Sequence, residues 1–144
     1  MKVLILGASG FFGGILYGKI KEETDFWALG TYHESKKNDD FIKLDVTNFI
    51  DVKVFLQHFS ADVIIWCLMS KTNEKDLINL GLPNVLTNMN PTCKFVFIDS
   101  NSKIDDEKLV RELENYIVIR PGAIEDQYIN ELANGIIKLI QIKN

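Results

Sequence analysis

A chain of 144 residues with 47% hydrophobic and 25% charged side chains has the length and composition of one globular unit with a sizeable core. Its 16 basic and 20 acidic residues leave a net charge of −4, which gives no electrostatic footprint for nucleic acid or an anionic membrane surface. No apolar run reaches the roughly 18 residues that span a bilayer, and the opening apolar stretch breaks at Gly7 instead of continuing as a signal sequence.

The pattern predicts a first strand over Lys2–Leu6, then a helix over Phe11–Glu23. A second strand is expected over residues 26–32, followed by a polar loop over 33–40 with no core-forming side chains. A third strand over 41–44 and a helix over about 48–59 follow. The most continuously apolar run, 62–68, predicts a central fourth strand. Residues 69–92 are the hardest to read: a helix is expected within 73–90, interrupted by Gly81 and Pro83. A fifth strand is expected over Lys94–Ile98 and a helix over about 103–113, with Asp105, Asp106 and Glu107 in its first turn. A sixth strand over Tyr116–Ile119 and a last helix over about 125–140 complete the chain. Strands alternating with helices predict an α/β architecture, a doubly wound parallel sheet. Six strands with right-handed crossovers give the order 3-2-1-4-5-6.

Gly7, Gly10 and Gly13 stand between the first strand and the first helix. This strand–turn–helix order is the context that a dinucleotide-binding fingerprint needs. Gly7 turns the chain sharply, Gly10 admits a pyrophosphate with no Cβ in the way, and Gly13 lets the helix pack closely on the sheet. Ser9 lies within the turn, and the amides of Phe11 and Phe12 would point from the helix N-terminus at the phosphates.

The spacing is Gly-x-x-Gly-x-x-Gly, and the full run Gly7-Ala-Ser-Gly10-Phe-Phe-Gly13 resembles the nucleotide loop of short-chain dehydrogenases/reductases, especially their extended, nucleotide-sugar-modifying branch. Residues 26–33 also look like the second strand of dTDP-4-dehydrorhamnose reductases. Leu44-Asp45-Val46 resembles the family's turn after strand three, where the resemblance implies that Asp45 accepts from the adenine amino group; a turn or N-cap aspartate is the plainer reading. Residues 94–100 resemble the fifth strand, which ends in the catalytic Ser/Thr, here Ser100. Residues 116–122 resemble the sixth strand and the Arg120-Pro121-Gly122 turn beside the nicotinamide. The resemblance covers about residues 1–125 and implies a Rossmann fold that binds NAD(P), with a nucleotide sugar as the expected substrate.

Two departures bear on chemistry. The family relies on Tyr-x-x-x-Lys, in which the lysine lowers the tyrosine pKa and the tyrosine moves a proton as hydride moves. Lys103 matches the lysine, but Asp99 falls at the tyrosine position. The pairs Tyr17/Lys21 and Tyr32/Lys36 have the spacing but lie elsewhere in the expected fold. The second departure is length: one helix follows the Arg-Pro-Gly turn, so residues 1–144 are expected to form a single dinucleotide-binding domain with no C-terminal substrate domain. A catalytically inactive dinucleotide sensor or regulatory partner subunit is therefore the alternative to an oxidoreductase or epimerase.

The second strand ends without the acidic residue that usually selects NAD; Thr31 or Tyr32 occupies that position. Ser35, Lys36 and Lys37 follow and could meet a 2′-phosphate, so NADP is expected over NAD. Cys67 and Cys93 read as reduced core residues of a cytoplasmic protein, and His33 and His58 are isolated in sequence, so no metal site is expected. Residues 69–92 read as a poor cover for one sheet face, which leaves a homo-oligomer as the expectation.

Overall fold

The computed structural model describes residues 1–70, 72–99, 104–121 and 126–142. Six parallel strands form one sheet: β1 (Lys2–Leu6), β2 (Trp27–Tyr32), β3 (Ile42–Lys43), β4 (Val63–Trp66), β5 (Lys94–Ile98) and β6 (Tyr116–Ile119). Their order is β3-β2-β1-β4-β5-β6, as the alternation of strands and helices predicts. Val3, Leu4, Ile5 and Leu6 stand level with Val63, Ile64, Ile65 and Trp66, so the two most apolar runs pair at the centre. The sheet changes winding direction between β1 and β4. In such sheets the crevice at that switch lies outside the carboxyl ends of the strands.

Alternation along β1 assigns the two cores. Val3 and Ile5 face a cluster with Leu16 and Ile20 of α1 (Phe11–Glu23) and Ala133 and Ile136 of α6 (Ile129–Gln141). Leu4 and Leu6 face the opposite cluster with Val52 of α2 (Phe49–His58), Leu82 and Val85 of α4 (Leu82–Asn88) and Val110 of α5 (Lys108–Arg111). Each large side chain buried this way contributes roughly 1.5–3 kcal/mol. In α6 the buried positions Ile129, Ala133, Ile136, Ile137 and Ile140 recur at helical spacing, which fixes the face it lays on the sheet.

Several boundaries differ from those the sequence predicts. The helix expected within 73–90 is not broken at Gly81 and Pro83. It starts as α3 (Glu74–Asp76), widens into a π-helical turn over Leu77–Gly81 and continues as α4, with Pro83 in the first turn of α4. Pro83 lacks an amide and would break a regular helix interior, but in the first turn of α4, after the wider turn, it is tolerated. Because α4 buries Leu82 and Val85 on the sheet, this face is covered, and the argument for a homo-oligomer from a bare face falls away. The third strand shrinks to two residues, Ile42–Lys43, although Phe41 and Leu44 on either side are buried at 6% and 5% exposure. Residues after Ile104 begin as a 3-10 turn (Ile104–Glu107) before α5, and a 3-10 turn (Asp126–Tyr128) precedes α6. Both cysteines are buried free thiols, and burial pushes each thiol pKa up to about 12. Among the described residues, no helix is long and apolar enough to cross a membrane.

Candidate functional site

The turn between β1 and α1 is held by backbone geometry. Gly7 sits at φ +83°, where a side chain is strained, and a Cβ there would lie 3.0 Å from the Cys67 carbonyl oxygen. A Cβ on Gly13 would lie 2.3 Å from the Gly7 carbonyl oxygen, so only glycine lets α1 approach the end of β1 this closely. The Gly7 amide donates to the Thr31 hydroxyl at 3.2 Å, and the Ala8 amide donates to the Thr31 carbonyl at 3.0 Å. Thr31 thus ties the turn to β2.

Gly10 is the N-cap of α1, and no side chain caps the helix. The N-terminal amides of a helix carry a partial positive charge and await an acceptor. Gly10 itself lines a cleft of about 480 Å³ at the carboxyl ends of β1, β2 and β4. Gly7, Ser9 and Gly10 form one wall, His33 and Asp45 a second, and Met69 and Asn73 a third. A Cβ on Gly10 would meet only the Gly7 carbonyl oxygen, at 3.3 Å, and otherwise project into open space.

Asp45 is oriented by the turn that follows β3. Its Oδ1 accepts from the Thr47 amide at 3.0 Å and from the Thr47 hydroxyl at 2.7 Å, while its Oδ2 lies 3.7 Å from His33 Nε2. Burial pushes the carboxyl pKa up, but the Thr47 hydrogen bonds, with coulombic contributions from His33 and Lys43, outweigh it and hold the group below its usual value. Asn84 Nδ2 donates to the Val46 carbonyl at 2.9 Å, and a Cβ on Gly81 would sit 2.7 Å from Val46 Cγ2. The loop bearing Asp45 is therefore pinned to the π-turn and α4. The opposite rim is closed by Ser70, whose hydroxyl accepts from the amides of Thr72 and Asn73 at 3.2 and 2.9 Å.

A second, more open groove of about 690 Å³ runs along α1 and meets the cleft at Ser9 and Gly10. Phe11 and Lys37 line it, above the edge-to-face pair of Tyr17 and Phe41.

The residues singled out from sequence separate into groups. Gly7, Ser9, Gly10 and Asp45 meet at the cleft, while Phe11, 67% exposed, turns to the groove. Phe12 and Val46 point into the cores, which leaves only their backbone toward the glycine turn and the Asp45 loop. Thr31 is 1% exposed at the end of β2, and its hydroxyl accepts the Gly7 amide. Tyr32 packs half-buried against the core, and Lys36 faces Asp39 at 3.9 Å and lines neither cavity. Pro121 follows β6, and Ser100, Lys103 and Gly122 lie outside the described residues. Sequence reasoning missed His33 as Asp45's neighbour and Asn84 as its loop's anchor. Only the Asp-x-Thr of the Asp45 turn carries a local signal.

Beyond the ends of β5 and β6 lies a charged network. Glu107 is fully buried and accepts from Arg111 Nη2 at 2.9 Å and from Arg120 Nε at 2.6 Å, with a further bond from Arg120 Nη2. Asp99, 3% exposed, lies beside it. The Arg120 hydrogen bonds pull the Glu107 pKa down, burial opposes them, and Asp99 and Arg111 add to the fall, leaving a value of about 2 instead of 4.5. A depressed carboxyl contributes stability that is present above about pH 4.5 and lost as pH falls through about 2. Glu107→Gln should therefore lower stability near neutral pH by about 1–3 kcal/mol, since the half-exposed arginines can turn to water. It should also flatten the acid limb of the stability curve. Urea melts from pH 7 down to about 2.5 check this, and parallel slopes for the two proteins would refute it.

No protein-family model matches this chain, and no curated protein does. Solved structures match its fold closely. A hypothetical dTDP-4-dehydrorhamnose reductase from Sulfolobus tokodaii superposes at TM-score 0.75 with 18% identity, over 98% of this chain and 72% of its own. The Bordetella bronchiseptica enzyme WbmH, solved with NAD+, gives 0.76 at 13% identity over 97% and 72%. A dTDP-4-dehydrorhamnose reductase from Bacillus anthracis, solved with NADP, gives 0.69 at 20% identity over 98% and 71%. The group that the sequence motifs resemble is thus also a group whose solved members share this Rossmann-like sheet.

Proposed function

We propose that this chain binds a nicotinamide dinucleotide in the cleft at the carboxyl ends of β1, β2 and β4. The observation that carries this reading is Gly10, the N-cap of α1 with no side-chain cap, lining the cleft with open space where a Cβ would stand. An anion is held there by amides and the helix dipole with no basic side chain needed. Asp45 offers an ionised carboxylate for the adenine amino group, with Oδ1 fixed by Thr47 and Oδ2 directed toward His33. The NAD+ and NADP bound to two proteins of the same fold support the same reading.

NADP is the preferred form in this proposal. No acid ends β2, and Lys37 lines the groove that joins the cleft at Ser9 and Gly10, where a 2′-phosphate on the adenosine ribose would emerge. Of Ser35, Lys36 and Lys37, the three candidates that the sequence offers, Lys37 is the cation that lines this groove. NADPH should bind about fivefold to tenfold tighter than NADH, and Lys37→Ala should bring the two together. Fluorescence titration with both nucleotides decides; equal affinities in the wild type would leave Lys37 as a solvated charge.

A bound nicotinamide would supply or accept hydride. The rest of such a reaction needs a proton donor at the end of β5, and here a specific observation favours a non-catalytic reading. Asp99, at the position of the family's tyrosine, is buried, and Arg120 of the Arg-Pro turn is engaged by Glu107. We therefore read the chain as a dinucleotide-binding sensor or partner subunit ahead of an oxidoreductase or epimerase acting on nucleotide sugars.

A further inference from the structure

We infer that His33 is a proton-controlled gate on base recognition by Asp45, so that the cleft distinguishes an amino-bearing purine at neutral pH and loses that distinction in acid. The inference rests on the dinucleotide reading above and adds a regulation of the same site.

The two oxygens of Asp45 are not equivalent. Oδ1 already accepts two hydrogen bonds from Thr47. Oδ2 is the oxygen turned toward His33, 3.7 Å from Nε2. That separation is too long for a hydrogen bond and short enough for an ion pair, so a small ring rotation closes it. Both side chains line the cleft, at 52% and 37% exposure, and both are accessible to a ligand.

Other charged groups surround the pair. Glu34 neighbours His33 and lines the same cleft, as does Asp76 of α3 across it. Lys43 of β3 acts on Asp45 from its own side. Lys36 is engaged with Asp39 and Lys37 lines the adjoining groove. Histidine is the side chain whose ordinary charge change falls between about pH 5 and 8.

With His33 neutral, Oδ2 accepts from an exocyclic amino group, and a carbonyl at the same ring position is repelled. With His33 protonated, the imidazolium closes on Oδ2. The amino group then loses its acceptor and the carbonyl loses its repulsion. Coupling is reciprocal: a ligand that occupies Oδ2 also lowers the proton affinity of His33. The imidazolium also attracts the ligand's phosphates, an effect common to any dinucleotide. A comparison of two dinucleotides of equal charge cancels it.

The test uses NADH and its hypoxanthine analogue, which carries an oxo group in place of the amino group. Affinities for the full chain are measured by fluorescence at about pH 8 and about pH 5.5. NADH should bind about fivefold to tenfold tighter at the higher pH, and the ratio should contract to within about twofold at the lower. In His33→Gln the ratio should be the same at both pH values. In Asp45→Asn it should be small throughout, because the amide can donate to an oxo group as readily as it accepts from an amino group. A ratio independent of pH in the wild type, or one that moves equally in His33→Gln, overturns the gate while leaving dinucleotide binding in place. Binding of neither compound at any pH overturns both.

Discussion

Gly10→Val should lose dinucleotide affinity by at least about 100-fold while melting within a few degrees of the wild type. The two halves of that expectation come from different observations. Gly10 has φ −74° and ψ 167°, an extended conformation open to any residue and favoured by β-branched ones, so the substitution introduces no backbone strain. The new Cβ meets only the Gly7 carbonyl oxygen, at 3.3 Å, a contact relieved by a shift of a few tenths of an ångström. Its two methyl groups then add bulk at the cleft that Gly10 lines at the N-terminus of α1. A pyrophosphate displaced from those amides loses several charge-assisted hydrogen bonds, each worth about 1.5–3 kcal/mol, and two of them already account for the loss expected. Calorimetric titration with NADPH, paired with a thermal melt, separates the two effects. An unchanged affinity in a folded variant would remove the glycine turn from the site, and Gly10→Ala serves as the milder probe.

Hydride transfer on nucleotide sugars should be slower than in an ordinary reductase by about 10²- to 10⁴-fold, the factor that a positioned general acid supplies. The end of β5 delivers no phenol. Asp99 occupies that place at 3% exposure, and its amide is bound to the Ile119 carbonyl at 2.8 Å, which fixes it between β5 and β6. Glu107 cannot serve as an acid near neutral pH because its pKa is held at about 2. The arginine that could polarise a substrate oxygen is bound to that same carboxylate through two nitrogens. Stopped-flow absorbance of NADPH with a panel of nucleotide keto-sugars measures the rate. A turnover in the ordinary range of about 1–10³ per second would place the proton donor elsewhere and reject the sensor reading.

The local pattern of this chain determined its strands, their order and its glycine turn. The runs Val3–Leu6, Ile64–Trp66 and Phe95–Ile98 are apolar on both faces, and a strand buried on both sides announces itself with no reference to its neighbours. The glycines at 7, 10 and 13 were legible for a related reason: each answers a backbone requirement within a few residues of itself. Helix α1 matched its predicted bounds because its buried positions follow one stripe and Thr24 caps its end, with the hydroxyl donating to the Ile20 carbonyl at 2.6 Å.

What lay beyond the sequence depends on contacts between distant segments. Gly81 and Pro83 read as a break, yet the helix runs on through a π-turn because Gly81 packs against Val46 and Trp66 of two other segments. Thr31 reads from the sequence as a cofactor ligand at the end of β2, and only the approach of the glycine turn, 24 residues away, shows that its hydroxyl also accepts the Gly7 amide. His33 and Asp45 belong to separate loops, and Glu107 and Arg120 stand 13 residues apart across a turn and a strand. No periodicity encodes such pairs. They form because parallel pairing of β1, β2 and β3 brings the loops after β2 and β3 to one end of the sheet, as pairing of β5 with β6 sets Asp99 beside Arg120. Charge chemistry at that end of the sheet is thus a property of register, and register is decided by the packed cores on its two faces.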